Sequence, residues 1–316
     1  MEKERFVTRA SIAAAFALAT ACSATVLAQW PEYSMANVPK TADGKPDLNA
    51  PAPKMSNGKP DLSGVWETAP CAGCGVPVID GLGGPPAQGR GAGAPPAEGR
   101  GAPPAPGGGA AGRGRGGPIR SVFANIGASL PDGNAPYQPW AADLVKQRVA
   151  DNSKDNPDAH CLPMGIMQLT SHPYPKKLIQ TPTEVLFIYE GSGTTVREVF
   201  LDGRPLPNRD QVEPWWNGYS VGHWEGDTLV VETTGFMDDG WLDVRGSPLT
   251  SSGKLTERYR RLNFGYLEIE VTIDDPKAYT KPFAAKVYNR IMTSSQLSEF
   301  VCIDKDARHY IGAGAK

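Results

Sequence analysis

The chain carries almost no charge imbalance. Lys and Arg number 32 against 34 Asp and Glu, with four His, for a formal net charge of −2. A near-neutral sequence lacks the basic surface that phosphate neutralisation requires, so nucleic acid is not expected as a partner. The local signatures of several enzyme classes are missing too. There is no Gly-x-Ser-x-Gly elbow, phosphate-binding loop or dinucleotide fingerprint. Long apolar runs are also scarce: only Ala10 to Leu27 forms one. No transmembrane span is therefore expected once that segment is removed.

What is present begins with a leader. Lys3, Arg5 and Arg9 precede the apolar run, and Val26-Leu27-Ala28 places small residues before Gln29. Residues 1 to 28 read as a secretory signal peptide, which implies a periplasmic or secreted protein. Ala19-Thr20-Ala21-Cys22 forms a weak lipobox, and anchoring through Cys22 is the variant reading. Cys71, Cys74, Cys161 and Cys302 remain, an even number that in an exported chain favours disulfides. Four cysteines allow three pairings. The arrangement expected is a local Cys71–Cys74 bridge, with Cys161 and Cys302 joining the loop after a helix to the last strand.

Residues 29 to 57 read as an extended linker. They contain the first of two short repeats, TADGKPDL and MSNGKPDL, each built on an Asp/Asn-Gly turn. A single β-rich domain is expected over 58 to 80 and 119 to 313. It is interrupted at 81 to 118 by a Gly/Pro/Ala/Arg tract too poor in apolar side chains to fold. One helix is predicted from Trp140 to Asp151, with Trp140, Leu144, Val145 and Val149 as its apolar stripe.

The rest alternates at the period of strands. Leu267, Ile269, Val271 and Ile273 interleave with Glu268, Glu270, Thr272 and Asp274. Similar segments occur at Val65, 185–190, 195–202, 228–234, 254–262, 285–292 and 299–304, separated by turn signals such as Glu225-Gly226-Asp227. About eight one-sided antiparallel strands are most simply buried by closing one sheet. The expected fold is mainly β: a single antiparallel barrel or strongly curved sheet with one short helix, and Gly64-x-Trp66 resembles the opening motif of lipocalin- or calycin-like barrels. A two-sheet sandwich is the runner-up.

Several blocks together resemble a family of exported, lipocalin-like bacterial proteins without an assigned activity. They are GKPDLSGVW (58–66), PWAADLVKQR (139–148), DAHCLPMGIM (158–167), KLIQTPTEVLFIYE (177–190), SVGHWEGDTLVVETTGF (220–236) and VTIDDPKAYTKPF (271–283). The resemblance implies export and a β fold, and it brings no catalytic residues. The 81–118 tract and Cys71-x-x-Cys74 depart from its pattern.

Three readings of function compete. In the first, Trp66, Trp215, Trp216, Trp224 and Trp241 line a pocket with His223, and Arg197 or Arg204 meets a polar or anionic group. The protein then binds a small apolar, aromatic or sugar-like ligand without catalysis and without a cofactor. In the second, His223, Glu225, Asp227 and Asp243 supply hydrolytic or metal-assisted chemistry. A His223/Glu225 metal pair would need His309 or His172 to approach a two-His-one-carboxylate set, so no metal is expected. In the third, the chain is a structural or interaction module of the cell envelope.

Overall fold

The computed structural model describes residues 34–69, 122–191 and 195–302. Residues 1 to 28, expected as a signal peptide and including Cys22, lie outside the described residues, as do Cys71, Cys74, the 81–118 tract and His309. The fold is a closed barrel of nine strands, with few and short helices. The strands are β1 (Gly64–Thr68), β2 (Lys176–Gln180), β3 (Glu184–Tyr189), β4 (Val196–Phe200), β5 (Tyr219–Glu225) and β6 (Thr228–Thr234). After the small β7 (Gly240–Trp241) and β8 (Pro248–Leu249) pair come β9 (Lys254–Arg261), β10 (Tyr266–Asp274) and β11 (Phe283–Ile291). Around the barrel the order is β1-β11-β10-β9-β6-β5-β4-β3-β2.

The period-two pattern does the sorting. On β10, Leu267, Ile269, Val271 and Ile273 are buried in the interior. Glu268 and Glu270 alternate with them and pair on the outer face with Arg260 and Lys286. Glu232, Arg258 and Arg260 also face outward, so the β9–β11 wall is lined inside largely by apolar side chains. The turn at Glu225-Gly226-Asp227 behaves as its sequence suggests. Glu225 pairs with Thr228 across a two-residue loop, and Gly226 sits at φ +59, the position a type II′ hairpin reserves for glycine.

Three expectations change. The helix forms, as α1 (Pro139–Ala150), but it buries Ala141 and Val145 and leaves Trp140 and Val149 exposed. Trp140 instead donates its indole N–H to the Lys277 carbonyl, and Arg148 stacks on Trp241. The expected strand over 299–304 is absent across its described residues, 299–302, which are irregular. They are held by the Cys161–Cys302 disulfide. The segment expected as a linker is, from Met35 onward, packed on the barrel. Leu48 and Ala50 accept backbone hydrogen bonds from Gly265 and Phe264, and the two repeats form matching turns closed by Lys40–Pro46 and Lys54–Pro60 bridges.

A second helix, α2 (Ile166–Ser171), has no exposed face. It covers the end of the barrel where β1 finishes and β2 begins, since Thr68 donates to the His172 carbonyl and Lys176 to the Thr170 carbonyl. Trp66, opposite Lys176 in the β1–β2 register, is fully buried, with Arg261 over its ring.

One join differs from all others. β4 and β5 run parallel and touch through a single register pair, Phe200 and Val221. Two parallel neighbours cannot be linked by a hairpin, because the chain must first return to the end from which β4 started. The returning connection, 201–218, lies over that seam. Trp215 holds it there by donating to Gly235 and accepting from Met237 and Gly218.

Candidate functional site

The seam opens into a cleft of about 410 Å³, within the range of small-molecule sites. Phe200, Trp215, Trp216 and Tyr219 supply aromatic surface, with Pro163 and Val196 at the side towards α2. Inward-facing Arg197 and Ser220 also line it, so the opening reaches between the strands. Val196 and Trp215 are 58% and 57% exposed, two of the most exposed large apolar side chains described. Gly218 makes the sharp approach of the connection possible. It sits at φ +60, and a Cβ there would meet the Thr234 carbonyl at 2.6 Å.

The β3–β4 register explains why the cleft has a polar edge. Thr195 and Leu201 direct their backbone groups to β3, so by alternation Val196 and Glu198 direct theirs towards β5. The β4–β5 ladder consists of the one pair at Phe200, and Val196 and Glu198 make no ladder bond there.

Behind the cleft lies a buried ionic cluster. Arg197 forms a two-pronged pair with Glu257, donates to Ser220 Oγ at 3.1 Å and to Thr233 Oγ1 at 2.8 Å. The Tyr259 hydroxyl donates to Glu257 at 2.6 Å. Burial opposes the charge on Arg197, but the Glu257 carboxylate outweighs it and holds the guanidinium above its ordinary value. Burial, with Glu257 beside it, pushes the Tyr259 phenol well up. Arg197 is thereby neutralised and nearly saturated with partners. At the rim, Arg204 is bound to Asp202 through both carboxylate oxygens, stacks on Phe200 and donates to Tyr219 OH at 2.9 Å. Neither arginine is left without a counter-charge.

Of the residues singled out from sequence, the structure brings Arg197, Trp215 and Trp216 to the cleft and places Arg204 at its edge. It separates the others. Trp66 is buried on β1 and does not line the cleft, its Nε1 donating to the Leu62 carbonyl at 3.0 Å. Trp224 packs inward from β5, and Trp241 is buried beneath Arg148. His223 is on the outer face, 3.3 Å from Glu225, which Arg258 and then His223 hold below the usual carboxylate range. Asp227 meets Lys54 at the hairpin turn. Asp243 is fully buried elsewhere, accepting from Ile126 N, Ser247 N and Ser247 Oγ; burial raises its carboxyl against those bonds.

The four acid–base candidates therefore occupy three separate places and share no cavity. Nor do His223 and Glu225 acquire a third ligand among the described residues, which do not include His309. His172 is buried between Phe123 and Tyr174, and no group of three His, Cys, Asp or Glu side chains gathers among the described residues. Sequence reasoning passed over Phe200, Tyr219 and Glu257. Glu257 had a signal: it shares the parity of Leu255 and Tyr259, which puts it inside. No family model, curated protein or solved structure matches this chain.

Proposed function

We propose that this is an exported, non-catalytic barrel protein that binds a small uncharged ligand in the β4–β5 cleft. The observation that carries the reading is the cleft itself. A barrel wall is opened at its one parallel join, and aromatic side chains from the connection that causes the opening line it. The ligand class follows from the surroundings. Aromatic walls suit flat apolar, aromatic or sugar-like bodies. Both nearby arginines are already neutralised by acids, which removes the attraction for an anionic group. The strand-edge groups of Val196 and Glu198 offer hydrogen bonds to a neutral polar substituent.

Export rests on the leader in the sequence, on the family resemblance, and on a disulfide of the kind that persists in oxidising compartments. Among the described residues no helix is long and apolar enough to cross a membrane. The test is native mass spectrometry and thermal shift against lipids, aromatic compounds and oligosaccharides. A retained, stabilising ligand from the uncharged aromatic or sugar set is expected. No binding by any member, or binding confined to anionic compounds, overturns the reading.

A further inference from the structure

The polar groups under α2 form a second feature, separate from the cleft. Lys176 opens β2, faces inward and is 2% exposed. Its Nζ donates to the Thr170 carbonyl at 2.6 Å and to Thr68 Oγ1 at 3.2 Å. An ammonium has three N–H donors, so one remains. Glu257, the acid facing the same interior, is committed to Arg197. No carboxylate among the described residues offsets the charge on Lys176.

Other buried groups around it are short of partners. Asn289 lies opposite Thr68 in the β1–β11 register, fully buried, and neither of its amide atoms is hydrogen-bonded. Tyr189 lies opposite Lys176 in the β2–β3 register. Its hydroxyl approaches Thr170 and Arg197 without reaching good hydrogen-bond geometry, and the Thr170 hydroxyl is equally unpaired. Such groups cost free energy when buried without partners. Here the ammonium offers only N–H donors, while the amide and the two hydroxyls can each donate as well as accept.

We propose that Lys176, Asn289, Thr170 and Tyr189 form an enclosed binding site for a compact carboxylate. A carboxylate brings several acceptor lone pairs and one negative charge, and so answers both deficits at once. Ordered water would answer the hydrogen bonds but leave the charge. The neighbouring titratable groups leave the assignment clean. His172 beside Lys176 is held down to about 3 by burial and by the lysine, and burial pushes Tyr189 up to about 12. Arg197 and Glu257 remain a closed pair. Lys176, which burial brings down to about 7, is the group that titrates near neutrality.

The test uses the whole protein with nitrogen-labelled lysine, titrated by NMR in sodium chloride and then in sodium formate or acetate of equal ionic strength. A bound carboxylate should raise the Lys176 midpoint by about one pH unit or more. It should also raise the melting temperature of the wild type but not of Lys176→Met. Crystals soaked in formate should show it bridging Lys176 and Asn289. An unmoved midpoint, equal stabilisation of both proteins, or water alone between those side chains overturns the proposal. The wild-type titration decides the matter even where the variant fails to fold.

Discussion

The barrel wall is uneven, and its two extremes teach different things. β10 is clamped by eight register pairs to β9 and eight to β11, with ion pairs across the outer face. β4 and β5 meet at one. The first region is what alternating apolar residues and tight turns produce unaided. The second is what a parallel join forces on an otherwise antiparallel sheet: a long return connection, a splayed ladder and exposed strand-edge groups. Closing the cylinder at that seam falls to side chains, chiefly the Arg197–Glu257 pair, which ties β4 to β9 across the interior. The stable part of the wall is fastened by backbone and the open part by one ionic cluster.

Removing that fastening should have the largest effect. Glu257→Ala leaves Arg197 charged and buried without its acid, and urea unfolding should show a loss of about 3–5 kcal/mol. The equivalent change on the clamped side, Glu270→Ala, breaks an exposed pair with Lys286 and should cost less than about 1 kcal/mol. Equal losses would dissolve the contrast between the two regions.

Next comes the covalent staple. Cys161 and Cys302 are 141 residues apart in sequence, and Cys302→Ser should destabilise by about 2–5 kcal/mol in the same assay. Stability should also depend on pH through the groups under α2. Lys176 is brought down by burial to about 7 from an ordinary 10.5, so the unfolded chain binds the extra proton between those values. Stability then rises with pH from about 7 towards 10.5, by at most about 1.4 kcal/mol per unit, and Lys176→Met abolishes that slope. His172, brought down to about 3 from 6.5, acts in the same sense at lower pH, and stability falls as pH drops below 6.5. Denaturation midpoints across pH 4 to 10, a range of about six units, check both signs.

The smallest effect on stability should accompany a large effect on binding. Trp215 is more than half exposed, so Trp215→Ala should cost less than about 1 kcal/mol in folding while weakening the cleft ligand tenfold or more. His223→Ala on the outer face should change neither quantity, by calorimetric titration and melting alike.

Much of the clamped wall could be read directly. The alternation from Leu267 to Asp274 and the Gly226-Asp227 turn specify strands, faces and a hairpin, because period and turn chemistry are local. The seam was not legible in that way. Nothing in Val196 to Phe200 announces that its next neighbour runs parallel, and the twin tryptophans of the connection were visible only as aromatic residues near one another. β2 was hidden because its inward face begins with a lysine, and α2 because six residues are too few to show a period. The pocket drawn from five tryptophans shrank to two for a related reason. Proximity in sequence does not fix parity, and Trp66, Trp224 and Trp241 are consumed by packing.

The central claim is that the ligand enters at the parallel seam. Hydrogen exchange read residue by residue, with and without a stabilising ligand from the uncharged panel, tests it most directly. In the free protein the amides of Val196 and Glu198 should exchange far faster than those of Ile269 and Val271. On binding, protection should appear at Val196, Glu198 and the Trp216–Ser220 segment. Slow exchange at Val196 and Glu198 in the free protein, or protection confined to another part of the barrel, would contradict the account.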